Sequence, residues 1–95
     1  MAVSDISSWE RQGRAALGRR LRQLRLGSGL KFKEICHRAD IEGSTLNYLE
    51  AGTRTPSIAT LRRIGRAYGV DPAELVDQLL KPEAEPLQAE GAGQK

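Results

Sequence analysis

The sequence predicts an all-α domain of five helices, and three observations carry that expectation. Apolar residues recur at three- and four-residue spacing in five separate segments, and glycine, proline or capping residues punctuate the junctions between them. No run shows the two-residue alternation of a strand. At 95 residues the chain has room for one domain with a single modest core.

Residues 1–6 are expected to be a flexible leader, 7–80 the folded domain and 81–95 a disordered tail. Ser7 and Glu10 have the spacing of a capping box, and Ala15, Ala16, Leu17, Leu21 and Leu24 continue a helical pattern to Leu26. Gly13 and Gly18 each weaken that helix by about 1 kcal/mol relative to alanine, which predicts a bend or two segments. Gly27-Ser28-Gly29 reads as its stop. Phe32–Ala39 forms a second helix and Ser44–Glu50 a third. Gly52-Thr53-Arg54-Thr55-Pro56 is a turn, after which Ser57 caps a fourth helix with Ile58, Leu61, Ile64 and Ala67 on one face. Gly69 closes it. Asp71-Pro72 places a cap and a first-turn proline ahead of a fifth helix carrying Leu75, Val76, Leu79 and Leu80. Lys81–Lys95 is rich in Pro, Gly, Ala, Gln and Glu, with Leu87 its one large apolar residue, and cannot repay the entropy of ordering.

Composition narrows the function. The chain is 39% apolar with 4% aromatic residues, enough for a packed helical unit but not for a roomy substrate cavity. A single Cys36 rules out an internal disulfide, and with a single His37 there is no zinc set, so neither metal nor cofactor is expected. Cys36 falls on an apolar helix face and reads as a small core residue. No paired carboxylates, nucleophile–base pair or phosphate-cradling glycine loop stands out, so an enzyme is not expected. No apolar run has the length of a membrane span and no signal-peptide core is visible, which predicts a cytoplasmic protein with no membrane association.

Residues 32–51, FKEICHRADIEGSTLNYLEA, hold the main functional clue. Ile35, Cys36, Ala39, Ile41, Leu46 and Leu49 can close into one small shared core, leaving Gly43, Ser44, Thr45, Asn47 and Tyr48 on the outer face of the second short helix. A short helix with a small, hydrogen-bonding outer face, braced by a near-perpendicular neighbour, fits the DNA major groove. The charge distribution agrees. Residues 1–80 carry 13 Lys and Arg against 9 Asp and Glu, whereas the tail carries 2 against 3. Arg11, Arg14, Arg19, Arg20, Arg22 and Arg25 cluster in the first helix, with Lys31 and Lys33 just beyond, a grouping that suggests attraction to polyphosphate.

From about Leu17 to Leu80 the text resembles the lambda-repressor/Cro-type helix-turn-helix family, also called the xenobiotic-response-element family. The matching stretches are L-G-R-R-L-R-Q-L-R, G-L-K-F-K-E-I-C, S-T-L-N-Y-L-E-A-G-T-R-T-P-S and L-R-R-I-G-R-A-Y-G-V-D-P-A-E-L. The resemblance implies a five-helix lambda-repressor-like domain with its helix-turn-helix at 32–51 and its third helix in the major groove. It also implies a bacterial or phage-encoded, nucleoid-associated regulator, often dimeric, acting on double-stranded DNA. The family's ion pair between the first helix and the end of the third maps onto Arg25 and Glu50. Each lies beside a core leucine, where a charge needs a partner.

Gly43, Ser44, Thr45, Asn47 and Tyr48 are then expected at the bases, and Lys31, Lys33, Thr53, Arg54 and Thr55 at phosphates. A two-fold homodimer on a palindromic operator, probed through Val76, Leu79, Leu80 and Trp9, is the expected assembly. The same leucines could instead only close the monomer core, and Trp9 could be a lid. Two positions depart from the family. Lys31-Phe32 replaces the usual hydroxyl and glutamine at the start of the second helix, and Glu42-Gly43 replaces a hydroxyl cap and polar reader at the start of the third. Phe32 could touch a thymine methyl or a sugar. Alternatively, Phe32 and the tail could serve a protein-interaction module such as an antitoxin or a partner of the transcription machinery.

Overall fold

Helix α1 (Ala2–Ser28) is followed by α2 (Phe32–Ala39), α3 (Gly43–Ala51), α4 (Ile58–Tyr68) and α5 (Pro72–Leu80). The computed structural model describes residues 2–81, with side chains from Ser8 onward, and no strand occurs among them. The tail expected to be disordered therefore lies outside the described residues, apart from Lys81. The first helix begins at Ala2, ahead of the Ser7–Glu10 box at which it was expected to start. Residues 2–6 contain neither glycine nor proline, so nothing in that stretch stops the helix from extending.

Each junction has a local cause. Ser28 Oγ donates to the Arg25 carbonyl at 2.8 Å and accepts the Leu30 N–H at 3.0 Å, and Gly29 then turns the chain at φ 74°. The Lys31 N–H that opens α2 donates to the Glu34 carboxylate at 2.8 Å. Asp40 ends α2 in the left-handed region at φ 55°, a conformation that its short polar side chain tolerates. Ser57 Oγ caps α4 by accepting the Thr60 N–H at 3.1 Å, and the Asp71 carboxylate caps α5 by accepting the Ala73 N–H at 2.9 Å.

Helix α1 is the spine: α3 and α5 pack along it, while α4 bridges α2 and α5. Gly13 and Gly18 do not divide it. They mark the places where two other segments touch its backbone. A Cβ on Gly18 would fall 2.9 Å from the Leu49 carbonyl oxygen, and one on Gly13 would fall 2.5 Å from that of Leu79. The missing side chains let α3 and α5 approach closely, and that contact accounts for two glycines that look like defects in the sequence.

The buried side chains form two groups. Leu17, Leu21, Ala39, Leu49, Leu61, Ile64 and Leu75 make the main core, and Ile35, Cys36 and Leu46 make a smaller one between α2 and α3. The shared core expected for the helix-turn-helix is thus divided, with Ile41 and Tyr68 packing against both halves. Ile58, expected on the apolar face of α4, is instead exposed, because it sits at the first turn where no neighbouring helix reaches it. Arg20 of α1 pairs with Glu74 of α5. With both side chains about one-third exposed, that pair contributes no more than about 1 kcal/mol.

Tyr68 is the unusual member of this interior. Its hydroxyl is buried and has no hydrogen-bond partner among the described residues. Burial, and secondarily the Glu50 carboxylate, push its ionisation from the usual 10.0 up to about 12. The unfolded chain therefore ionises at this residue first, so this contribution is intact below pH 10 and lost as pH rises through about 12.

Gly18→Ala lowers stability by about 1–3 kcal/mol in denaturant titration, whereas Gly27→Ala, with open space around it, is neutral or stabilises by up to about 1 kcal/mol. Tyr68→Phe strands no partner, so it is expected to leave stability at pH 7 unchanged or raised by about 1 kcal/mol and to lessen the alkaline loss seen in thermal melts between pH 10 and 12.

Candidate nucleic-acid interface

The α2–α3 unit is positioned by one charged contact. Arg25 near the end of α1 donates to both carboxylate oxygens of Glu50 in the last turn of α3, at 2.8 and 3.0 Å. Their side chains are 24% and 10% exposed, so the carboxylate is largely removed from water. A fork of two parallel N–H donors fixes angle as well as distance, which a lysine could not do. The Arg25 guanidinium also lies 5.7 Å from the centroid of the Phe32 ring. Hydrogen bonding to Glu50 raises the Arg25 pKa further, so the pair is charged on the arginine side at any pH the fold survives. A second arginine acts at the same end of α3: Arg14 Nε donates to the Gly52 carbonyl at 3.3 Å. Gly52, at φ 76°, leaves room for the Ala15 backbone beneath it.

These contacts turn the buried Leu46 and Leu49 inward and leave Ser44, Asn47 and Tyr48 exposed, with Thr45 half-buried. Lys31 and Lys33 lie exposed at the start of α2. Gly43 belongs to a different category from its neighbours. A Cβ there would meet the Phe32 ring at 3.3 Å, so this glycine makes room for a half-buried phenylalanine. Phe32 packs against Ile35, Cys36 and Leu46, which gives it a structural task and leaves it half-buried. Glu42 precedes α3 in extended conformation and makes no side-chain capping bond.

The turn after α3 is also more ordered than expected. Thr53 Oγ donates to the Tyr48 carbonyl at 3.2 Å, so its hydroxyl hydrogen is spent on the helix end. Arg54 stacks over the Tyr48 ring, its guanidinium carbon 4.1 Å from the centroid. Such a stack orders two long exposed side chains in advance of any ligand. Thr55 lies farther round, lining a cleft of about 270 Å³ with Trp9, Glu10, Arg14, Leu79 and Leu80. Trp9 and Leu80 are 42% and 52% exposed there.

The arginine cluster of α1 does not form one basic face. Arg14, Arg20 and Arg25 are each committed to an internal acceptor, at the cap that ends α3, on α5 and on α3 respectively. Arg25's role was expected from the family resemblance, whereas those of Arg14 and Arg20 depend on tertiary neighbours and leave no trace in sequence spacing. Cys36 is buried in the small core, and burial raises its thiol pKa, as befits an inert packing residue. Among the described residues no group of His, Cys, Asp and Glu could hold a metal ion, and no helix is long and apolar enough to cross a membrane.

The geometry is that of a helix-turn-helix: two short helices sharing a core, the second fixed with one side outward. A helix-turn-helix domain family matches residues 16–79. The chain is 38% identical over 58 residues to the HTH-type transcriptional regulator DdrOP3 of Deinococcus deserti, a match spanning 61% of this chain and 45% of that protein. It is 31% identical over 65 residues to the control protein C.BamHI of Bacillus amyloliquefaciens, covering 67% of this chain and 80% of that one. The crystal structure of the restriction-modification controller protein C.AhdI from Aeromonas hydrophila superposes with a TM-score of 0.62 at 27% identity, over 65% of this chain and 94% of that one. The chain belongs to the Cro/C1-type helix-turn-helix family, a DNA-binding and not an enzymatic class.

Removing one member of the central pair leaves a poorly hydrated charge behind. Glu50→Ala is therefore expected to cost about 3 kcal/mol in thermal or denaturant unfolding, and an unaltered melting temperature would show that Arg25–Glu50 does not hold α3.

Proposed function

We propose that the protein is a sequence-specific regulator of transcription that seats α3 in the major groove of double-stranded DNA. The observation that carries this reading is the Arg25–Glu50 bracket, which holds Ser44, Asn47 and Tyr48 outward on one helix face while Leu46 and Leu49 are buried. Asn47 is suited to the two hydrogen-bonding positions on adenine, and Ser44 and Thr45 offer hydroxyls at the helix start. Tyr48, ordered by Arg54, presents a ring edge and a hydroxyl. Each good base contact is worth about 1–3 kcal/mol of discrimination. Lys31, Lys33 and Arg54 supply charge for the flanking phosphates, and the Thr55 hydroxyl can donate to a phosphate oxygen, as that of Thr53 can once it releases the Tyr48 carbonyl. Gly43 contributes indirectly, by making room for Phe32 beneath the start of α3.

One such helix offers few base contacts, so the reading includes a homodimer with two-fold symmetry on a palindromic operator. The exposed Trp9 and Leu80, with half-buried Val76 and Leu79, supply the apolar surface for that contact. Occupying a groove this way excludes polymerase from the same stretch of duplex, which makes repression the simplest mode of action. The relatives named regulator and control protein support the same direction, and a bacterial or phage cytoplasm is the corresponding setting.

Selection of bound duplexes from a random pool tests the reading. The wild-type chain is expected to enrich a two-fold symmetric site, and Asn47→Ala to relax the preference at one position per half-site. Leu80→Asp is expected to shift the sedimenting species to monomer and to weaken operator binding by at least about tenfold. A pool that stays random after repeated rounds would contradict the assignment.

A further inference from the structure

A second strongly basic surface lies away from α3. Arg62, Arg63 and Arg66 project from α4, and Arg38 comes from the last turn of α2 beside them. Arg38, Arg63 and Arg66 line a cleft of about 340 Å³, and Arg62, Arg63 and Arg66 line an adjoining one of about 200 Å³. All four are exposed. Helix α4 contains no acidic residue along its whole length. Arg63 is anchored by neutral groups, the Ala39 carbonyl at 3.1 Å and the Thr60 hydroxyl at 3.4 Å, so its charge is oriented but not cancelled. Among the described residues, Arg38, Arg62 and Arg66 make no hydrogen bond or ion pair, and the nearby Asp40 carboxylate forms none with them. This contrasts with Arg14, Arg20 and Arg25, which are all spent on the fold.

Placement and chemistry restrict what such a surface can bind. Helix α2 packs on both α3 and α4, which have little contact with each other, so the patch lies across α2 from the helix assigned to the groove. The only apolar lining residues are Ala59 and Ala67, and the nearest large exposed aliphatic, Ile58, sits one turn before Arg62 outside both clefts. A protein interface of any strength is built around aromatic or large apolar anchors, and neither cleft contains one. Phosphodiester recognition needs no such anchor, because it rests on charge and on the planar guanidinium fork.

We infer that Arg38, Arg62, Arg63 and Arg66 form a second phosphate-binding surface that holds the backbone of another DNA segment while α3 occupies its operator. The inference builds on the DNA-binding reading above. Through it one molecule links two stretches of duplex, and a bound regulator gathers neighbouring DNA with no sequence preference at the second contact.

The test uses the full chain and two probes: a short selected operator duplex tethered to beads, and a free fluorescent duplex of random sequence. Wild-type protein on the operator beads is expected to retain the random duplex at low to moderate salt. R62A/R66A is expected to keep operator affinity within about twofold, lose at least about tenfold of the retention, and lower its salt slope by about 2. R62K/R66K, which keeps the charge, is expected to retain most of it. Free protein carrying N47A/Y48A is scored on the random duplex alone, with and without R62A/R66A, so the patch is read even if α3 proves not to bind DNA. The proposal is overturned if wild type retains no random duplex, if R62A/R66A changes neither assay, or if operator affinity and retention fall together. Displacement of the random duplex by polyglutamate at equal charge would also overturn it, in favour of an acidic protein.

Discussion

The ion pair between Arg25 and Glu50 is the constraint from which the rest of the molecule can be understood. It joins the end of the spine helix to the end of α3 through two hydrogen bonds in a region with little water. Apolar packing alone brings helices together without fixing how each is rotated about its axis, because side chains of similar size can exchange places. A bidentate contact admits one geometry. Around it, Gly18 brings the α3 backbone against α1, Phe32 lies over the Arg25 guanidinium, and Gly43 makes room for Phe32. Arg14 ties down the Gly52 carbonyl at the same end of α3. The outward face of α3 is thus set by a chain of contacts reaching inward to α1.

That arrangement explains why two apparent departures from the family pattern leave the fold intact. Phenylalanine at the start of α2 and glycine at the start of α3 are one feature: the ring of one occupies the space that a side chain on the other would need. Lys31 does not cap α2 as a hydroxyl would, but the Glu34 carboxylate takes its N–H, so the first turn is still satisfied. The outcome is an outward side of α3 that carries no side chain at Gly43 and has its larger groups, Asn47 and Tyr48, toward the middle.

Much of this was legible in the sequence. Helix-length apolar spacing, the Ser57 and Asp71 caps and the glycines at positions 29, 52 and 69 located four of the five helices to within a residue or two. The Arg25–Glu50 contact followed from the family resemblance together with the need of an inner charge for a partner. What the sequence could not display were contacts between distant segments. Gly13 and Gly18 read as helix weaknesses because propensity is local, whereas their purpose lies in the carbonyls of Leu79 and Leu49. Six clustered arginines suggested attraction to polyphosphate, although three of them turn inward to acceptors 25 to 54 residues away, and of those partners only Arg25's was expected. The α4 arginines, scattered among apolar residues in the text, become a patch only when α2 brings Arg38 beside them. Tyr68 and the Tyr48–Arg54 stack escaped notice for the same reason.

On the proposed function, the exposed side of α3 is a preformed DNA-reading surface. Amide resonances followed during titration with a selected short duplex, at equal molar ratio and moderate salt, test it directly. The largest shifts are expected at Ser44, Thr45, Asn47 and Tyr48, smaller ones at Lys31, Lys33 and Arg54, and weaker, salt-sensitive ones at the α4 arginines. Shifts centred on another face, or a spectrum that does not move at all, would contradict it.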